Sequence, residues 1–80
     1  MASLPEIKQH VKDIIAKELN LNSEDLDELQ SFHNLGLDSV NSIFLLAKME
    51  EKLDMYIDPL SVYDNPTIRS FSEFLHTELS

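Results

Sequence analysis

An all-α fold, a small four-helix bundle with three main helices and a short third one, follows from three features of this 80-residue chain. Three stretches repeat apolar residues at the three-and-four spacing of a helix face, and none alternates with the period of two that a half-buried strand requires. The single glycine and the three prolines fall at or between the ends of those stretches. A hydrophobic content of 42% suffices for one compact core, and the length makes one domain, residues 1–80.

The first helix starts at Ser3 and Glu6, which have the spacing of a capping box, with Pro5 in a first turn that has no use for its missing N–H. Ile7, Val11, Ile14, Ile15 and Leu19 form its inner stripe; Lys8, Gln9, Lys12, Asp13 and Lys17 face mostly outward, and the helix ends near Asn20. From Asn20 to Asp38 no period is sustained. Leu21, Leu26, Leu29, Phe32, Leu35 and Leu37 recur irregularly, the pattern of a long structured loop tethered to the core, with a short helical turn at Glu24–Leu29.

Leu35-Gly36-Leu37-Asp38-Ser39-Val40 is the stretch around which the chain is organised. Gly36 permits a backbone turn there that a side chain would obstruct. Asp38 suits the cap of a new helix, both as an acceptor for free N–H groups and as negative charge at the positive dipole end. Ser39 then lies in the first turn with its hydroxyl at the helix entrance, where a phosphate ester is also well placed. The helix runs from Ser39 to about Leu53 and has two apolar faces. Ser42, Leu45, Leu46, Met49 and Leu53 make the core face; Val40, Ile43, Phe44 and Ala47 make a shorter stripe on nearly the opposite side, beginning beside Ser39. A helix in a small domain needs one such face, so the second is a candidate docking surface. Pro59 to Tyr63 reads as a short helix, Asn65-Pro66-Thr67 as a stop and restart, and Ile68, Phe71, Phe74, Leu75 and Leu79 as the inner face of the last helix.

Fifteen acidic against 6 basic residues give a formal charge of −9 and a pI near 4.5. Nucleic acid and anionic membranes are repelled by such a chain, whereas basic partners are attracted. The absence of cysteine excludes disulfides, thiolate nucleophiles and cysteine-ligated metals. With no secretory pattern at the N-terminus and no membrane-length apolar run, a soluble, cytoplasmic monomer is the expectation. A serine hydrolase needs a base, an oxyanion hole and, in the α/β-hydrolases, a strand-to-helix elbow with small residues; Leu37 to Asn41 provides neither glycines nor a strand, and His10, His33 and His76 are widely spaced. The acids of residues 20–31 lack the glycine and closing glutamate of a calcium loop. Glu50, Glu51, Asp54 and Asp58 lie close to the outer stripe, where they steer basic surfaces towards it.

On Leu35 to Val40, on the following helix with Glu50-Glu51-Lys52-Leu53, and on Asn65-Pro66-Thr67-Ile68, the sequence resembles the acyl carrier proteins and related phosphopantetheine-dependent carrier domains. The likeness covers essentially the whole chain. It implies a non-catalytic carrier whose Ser39 is esterified with 4′-phosphopantetheine from coenzyme A by a phosphopantetheinyl transferase, with Asp38 as cap and recognition residue. The terminal thiol of the arm holds acyl groups as thioesters for acyltransferases, ketosynthases or acyl-activating enzymes, which explains a polypeptide without a thiol of its own. The resemblance further implies partner contacts at Val40, Ile43, Ala47, Glu50 and Glu51, to which the outer stripe adds Phe44, and an acyl cavity lined by Leu45, Leu46, Met49 and Phe71. Asn41 and Phe44 stand where bacterial fatty-acid carriers typically bear acids, and Tyr63 to Ile68 looks more like polyketide or peptide carriers; the expectation is a free-standing carrier of polyketide-type or hybrid assembly. Carriers of fatty-acid or peptide synthesis, and an unmodified helical adaptor binding through Val40, Ile43, Phe44 and Ala47, remain the alternatives.

Overall fold

The computed structural model describes residues 2–80, which form five helices: α1 (Leu4–Leu19), α2 (Phe32–Leu35), α3 (Ser39–Leu53), α4 (Ser61–Asp64) and α5 (Ile68–Leu79). Each long helix starts where its side chains satisfy the free N–H groups of a first turn. Ser3 Oγ accepts the Glu6 N–H at 3.3 Å while Glu6 Oε1 accepts the Ser3 N–H at 3.0 Å, the reciprocal box expected at α1. Thr67 and Ser70 repeat the arrangement at α5, with Ser70 N–H to Thr67 Oγ1 at 3.0 Å and Thr67 N–H to Ser70 Oγ at 3.1 Å. α1 stops at Asn20, which takes the left-handed conformation at φ 57° and lets the Leu21 N–H reach back to the Ala16 carbonyl at 2.8 Å.

α1 packs against both α3 and α5, and the centre of the molecule is their shared contact. Ile7, Val11 and Ile15 from α1, Leu45 and Met49 from α3, and Ile68, Phe71 and Leu75 from α5 are all completely buried. Removal of this much apolar surface from water drives the collapse of a chain this short. Ser72 is also completely buried, and its hydroxyl has no hydrogen-bond partner.

The long connection after α1 is ordered, as its recurring apolar residues predict, but its local structure differs from the expectation. The helical turn forms over Ser23–Asp25 and goes no further, because Asp27 folds back on its own backbone, Oδ1 accepting the Leu29 N–H at 2.9 Å. Leu26, Phe32 and Leu37 are buried tethers; Leu21 and Leu29, which follow the turns at Asn20 and Asp27, stay 50% and 65% exposed. α2 is an addition to the expected four helices. Ser31 caps its start by accepting the Asn34 N–H at 3.0 Å, and Gly36 ends it. α4 begins at Ser61, two residues after Pro59, since Asp58 Oδ1 takes the Leu60 N–H in a turn of its own.

Four contacts hold the loop on the bundle. Lys8 and Lys12 of α1 each reach a Glu28 carboxylate oxygen at 3.1 Å, and the Glu28 carbonyl accepts the Arg69 N–H of α5 at 3.1 Å. Phe32 N–H donates to the Pro66 carbonyl at 2.7 Å, beside an isolated antiparallel bridge between Ser31 and Thr67. Hydrogen bonds from Lys12 first and Lys8 second hold the Glu28 carboxyl below its ordinary value.

A carboxylate with a lowered folded-state pKa stabilises fully above its unfolded value, and the contribution disappears as pH falls through the folded one. Glu28→Gln should therefore flatten the acid side of the pH–stability profile and leave its slope at neutral pH unchanged, as followed by urea denaturation at stepped pH. Ser72→Ala removes an unpartnered buried hydroxyl and raises helix propensity, so it should stabilise the protein by about 1 kcal/mol in the same assay.

Candidate functional site

The backbone from Gly36 to Asn41 is fixed at both ends. Gly36 lies at φ 103°, a conformation that ends α2, and the Leu37 N–H returns to the Phe32 carbonyl at 2.9 Å. One residue later Asp38 is extended and caps α3: Asp38 Oδ1 accepts the Asn41 N–H at 2.8 Å and Asn41 Oδ1 accepts the Asp38 N–H at 3.2 Å. Leu37, between the two turns, is buried and pins the stretch to the core. Asn41 also donates from Nδ2 to Glu18 Oε1 at 3.0 Å, tying the start of α3 to the end of α1. The cap by Asp38 is the expected one. Its partner Asn41 completes the cap, a role that the sequence reading missed, although the i, i+3 spacing of a capping box was there to find.

Ser39 is the first residue of α3 and is exposed, and its hydroxyl meets no hydrogen-bond partner among the described residues. It borders an open groove of about 420 Å³ whose walls include Phe32 and His33 of α2, Asp38, Ser42, and Tyr63 of α4. His33 thus stands beside Ser39 on a short helix, where a loop position was expected; His10 and His76 lie on α1 and α5. The N–H groups of Ser39 and Val40 have no carbonyl one turn earlier to receive them, so the helix entrance presents partial positive charge beside the hydroxyl.

The expected outer stripe of α3 is uncovered. Val40 is 72% and Ile43 66% exposed, Phe44 is 40% exposed, and Ala47 is exposed as well. Phe44 diverges from the others: the Lys48 ammonium lies 5.4 Å from its ring centroid, and both residues line a second groove with α1. Of the two neighbouring acids Glu51 is exposed, whereas Glu50 is half-buried, its Oε2 accepting the Ile57 N–H at 3.0 Å, so that it anchors the turn after α3. Leu45, Leu46, Met49 and Phe71 sit in the packed core at exposures of 6% or less. The groove beside Ser39 is lined by other residues and meets this set through Phe32, whose ring packs edge-on against Phe71 at 5.8 Å between centroids.

A small acidic bundle that presents one serine hydroxyl at a rigid helix mouth, beside an open groove and an uncovered apolar stripe, has the build of a non-catalytic carrier domain. Comparison with known proteins agrees. The family described as "phosphopantetheine attachment site" matches residues 9–75, and the chain belongs to it. It is 37% identical over 70 residues, 88% of its length, to non-reducing polyketide synthase 1 of Elsinoe fawcettii, of which it spans only 3%. Among solved structures it superposes on a free-standing peptidyl carrier protein from an Acinetobacter baumannii secondary metabolic pathway with a TM-score of 0.92, 27% identity and 98% of both chains covered. An acyl carrier protein from Anabaena sp. PCC 7120 with a variant phosphopantetheinylation-site sequence gives a TM-score of 0.91 at 28% identity, covering 99% of this chain and 90% of that one. The cofactor of the family is covalently attached 4′-phosphopantetheine. The unpartnered Ser39 hydroxyl and the free N–H groups in the first turn of α3 suit a phosphate ester. No helix among the described residues is long and apolar enough to cross a membrane.

A Cβ on Gly36 would meet only Leu19 Cδ2, at 4.0 Å, so the obstacle to a side chain there is the backbone and not crowding. Gly36→Ala should cost about 1–2 kcal/mol in urea denaturation, the penalty of a left-handed conformation on an L-residue.

Proposed function

We propose that Ser39 is the attachment point of the 4′-phosphopantetheine arm and that the chain is an acyl carrier in polyketide-type assembly. The observation that supports this most is the exposed, unpartnered hydroxyl at the capped entrance of α3. The arm supplies a thiol on which acyl groups are held as thioesters. The protein's own residues hold the anchor still and advertise it. Asp38 and Asn41 fix where α3 starts, and hence where the Ser39 hydroxyl projects. The free N–H groups and dipole of the first turn favour the negative phosphate. Val40, Ile43 and Ala47 offer apolar contact to a phosphopantetheinyl transferase and to acyl-transferring enzymes, with the exposed Glu51 steering basic surfaces to it. Polyketide cargo is supported by the synthase relatives. Aminoacyl cargo is a second reading, favoured by the superposition on the peptidyl carrier over 98% of both chains.

Incubated with coenzyme A and a broad-specificity phosphopantetheinyl transferase, the protein should gain the mass of a single arm in intact-mass spectrometry. Ser39→Ala should gain none while its far-UV circular dichroism stays helical; addition to that variant would place the attachment elsewhere. Challenge of the modified protein with a malonyl-transferring and an amino-acid-adenylating enzyme then separates the two cargo readings by which one loads it.

A further inference from the structure

The groove on the other flank of α3 reverses the charge of the chain. It is open, about 340 Å³, and lies between α1 and α3, lined by Asp13, Ile14, Lys17, Phe44, Lys48 and Lys52. The protein has only 6 basic residues and a net charge of −9. Lys8 and Lys12 are held by Glu28; of the other four, three converge on this one groove. Among the described residues those three enter no ion pair, and the one acid in the lining, Asp13, already accepts a hydrogen bond from Gln9 Nε2 at 2.8 Å. Lys17 and Lys52 each suit the last turn of their helix, where cations meet exposed carbonyls. Lys48 has no such reason to be there, and at i, i+4 from Lys52 the two repel. Asp13, four residues before Lys17 on α1, offsets one of the three charges and leaves a net excess of two. The groove's floor and wall are apolar: Ile14 closes the bottom, and Phe44 stands 40% exposed at the edge with the Lys48 ammonium over its ring.

We propose that this groove docks an acidic segment of a partner protein that carries one large apolar side chain. Carboxylates of the segment neutralise Lys17, Lys48 and Lys52, and its apolar side chain packs on Phe44, Ile14 and the lysine stems. Charge complementarity selects the occupant. An anionic membrane surface, being broad, would face the chain's abundant carboxylates along with the three lysines, whereas a peptide segment enters the groove and meets three cations against the single acid Asp13. The partner required here has the opposite charge to the one that the Glu51 side of α3 attracts, so the two surfaces address different proteins or different parts of one. This proposal is independent of modification at Ser39 and is testable on Ser39→Ala protein.

The test uses ¹⁵N-labelled protein titrated with a synthetic peptide, acetyl-Glu-Glu-Phe-Ser-Asp-Glu-amide, its counterpart with lysine for each acid, and phosphatidylglycerol vesicles. The acidic peptide should shift the amides of Asp13, Ile14, Lys17, Phe44, Lys48 and Lys52 with an affinity that falls as salt is added. Lys17→Glu on α1, which is exposed, and Lys48→Glu on α3, which is half-buried, should each weaken binding about tenfold, with the rest of the amide spectrum unmoved. Phe44→Ala should weaken it as well at unchanged salt dependence. No shift at millimolar acidic peptide, shifts at Val40 and Ile43 in place of the groove, or an equal response to the basic peptide would each overturn the proposal. So would binding of vesicles without peptide, or self-association of the free protein that Lys48→Glu abolishes.

Discussion

The reciprocal pair of hydrogen bonds between Asp38 and Asn41 is the constraint from which the rest of the structure takes its bearings. It decides the residue at which α3 begins, and at 100° per residue that choice sets the direction of every side chain along the helix. Started here, α3 buries Leu45, Leu46 and Met49 and leaves Val40 and Ile43 outside. The further bond from Asn41 to Glu18 makes the cap tertiary as well as local, because it fixes the mouth of α3 against the end of α1. The proposed anchor hydroxyl of Ser39 is thereby held in one place and one orientation.

The long connection before α3 serves the same end. It is clipped to α1 by Glu28 and to the start of α5 through Arg69 and Pro66, so α2 has a fixed seat and can supply a wall of the groove beside Ser39. Four residues do not make a stable helix by themselves. α2 exists because Ser31 and Gly36 close its two ends and Phe32 is buried beneath it. α3 in turn divides its outer surface, with Val40, Ile43 and Ala47 on one flank and Phe44, Lys48 and Lys52 turned to α1 on the other.

Much of this was readable from local pattern. The caps at Ser3 and Asp38, the inner stripes of the long helices and the position of Ser39 all depend on residues within a turn or two of each other, and spacing reports them directly. α2 escaped because four residues carry no period, even though both of its end signals were in view. Composition alone makes tethers of Leu21 and Leu29, whereas the backbone turns at Asn20 and Asp27 leave them outside. Glu50 read as a surface acid and Phe44 as one of a single stripe. Their actual surroundings, the Ile57 amide and three lysines, come from segments whose approach is a property of the assembled fold and not of any window of sequence.

Phe32 lies in the wall of the groove and also rests its edge on Phe71 at the centre of the bundle. Nothing stands between the two, so the tightness of the interior and the width of the opening are one mechanical quantity. A push on this ring from the groove side is therefore felt at the centre of the bundle, and any repacking there moves the wall in return.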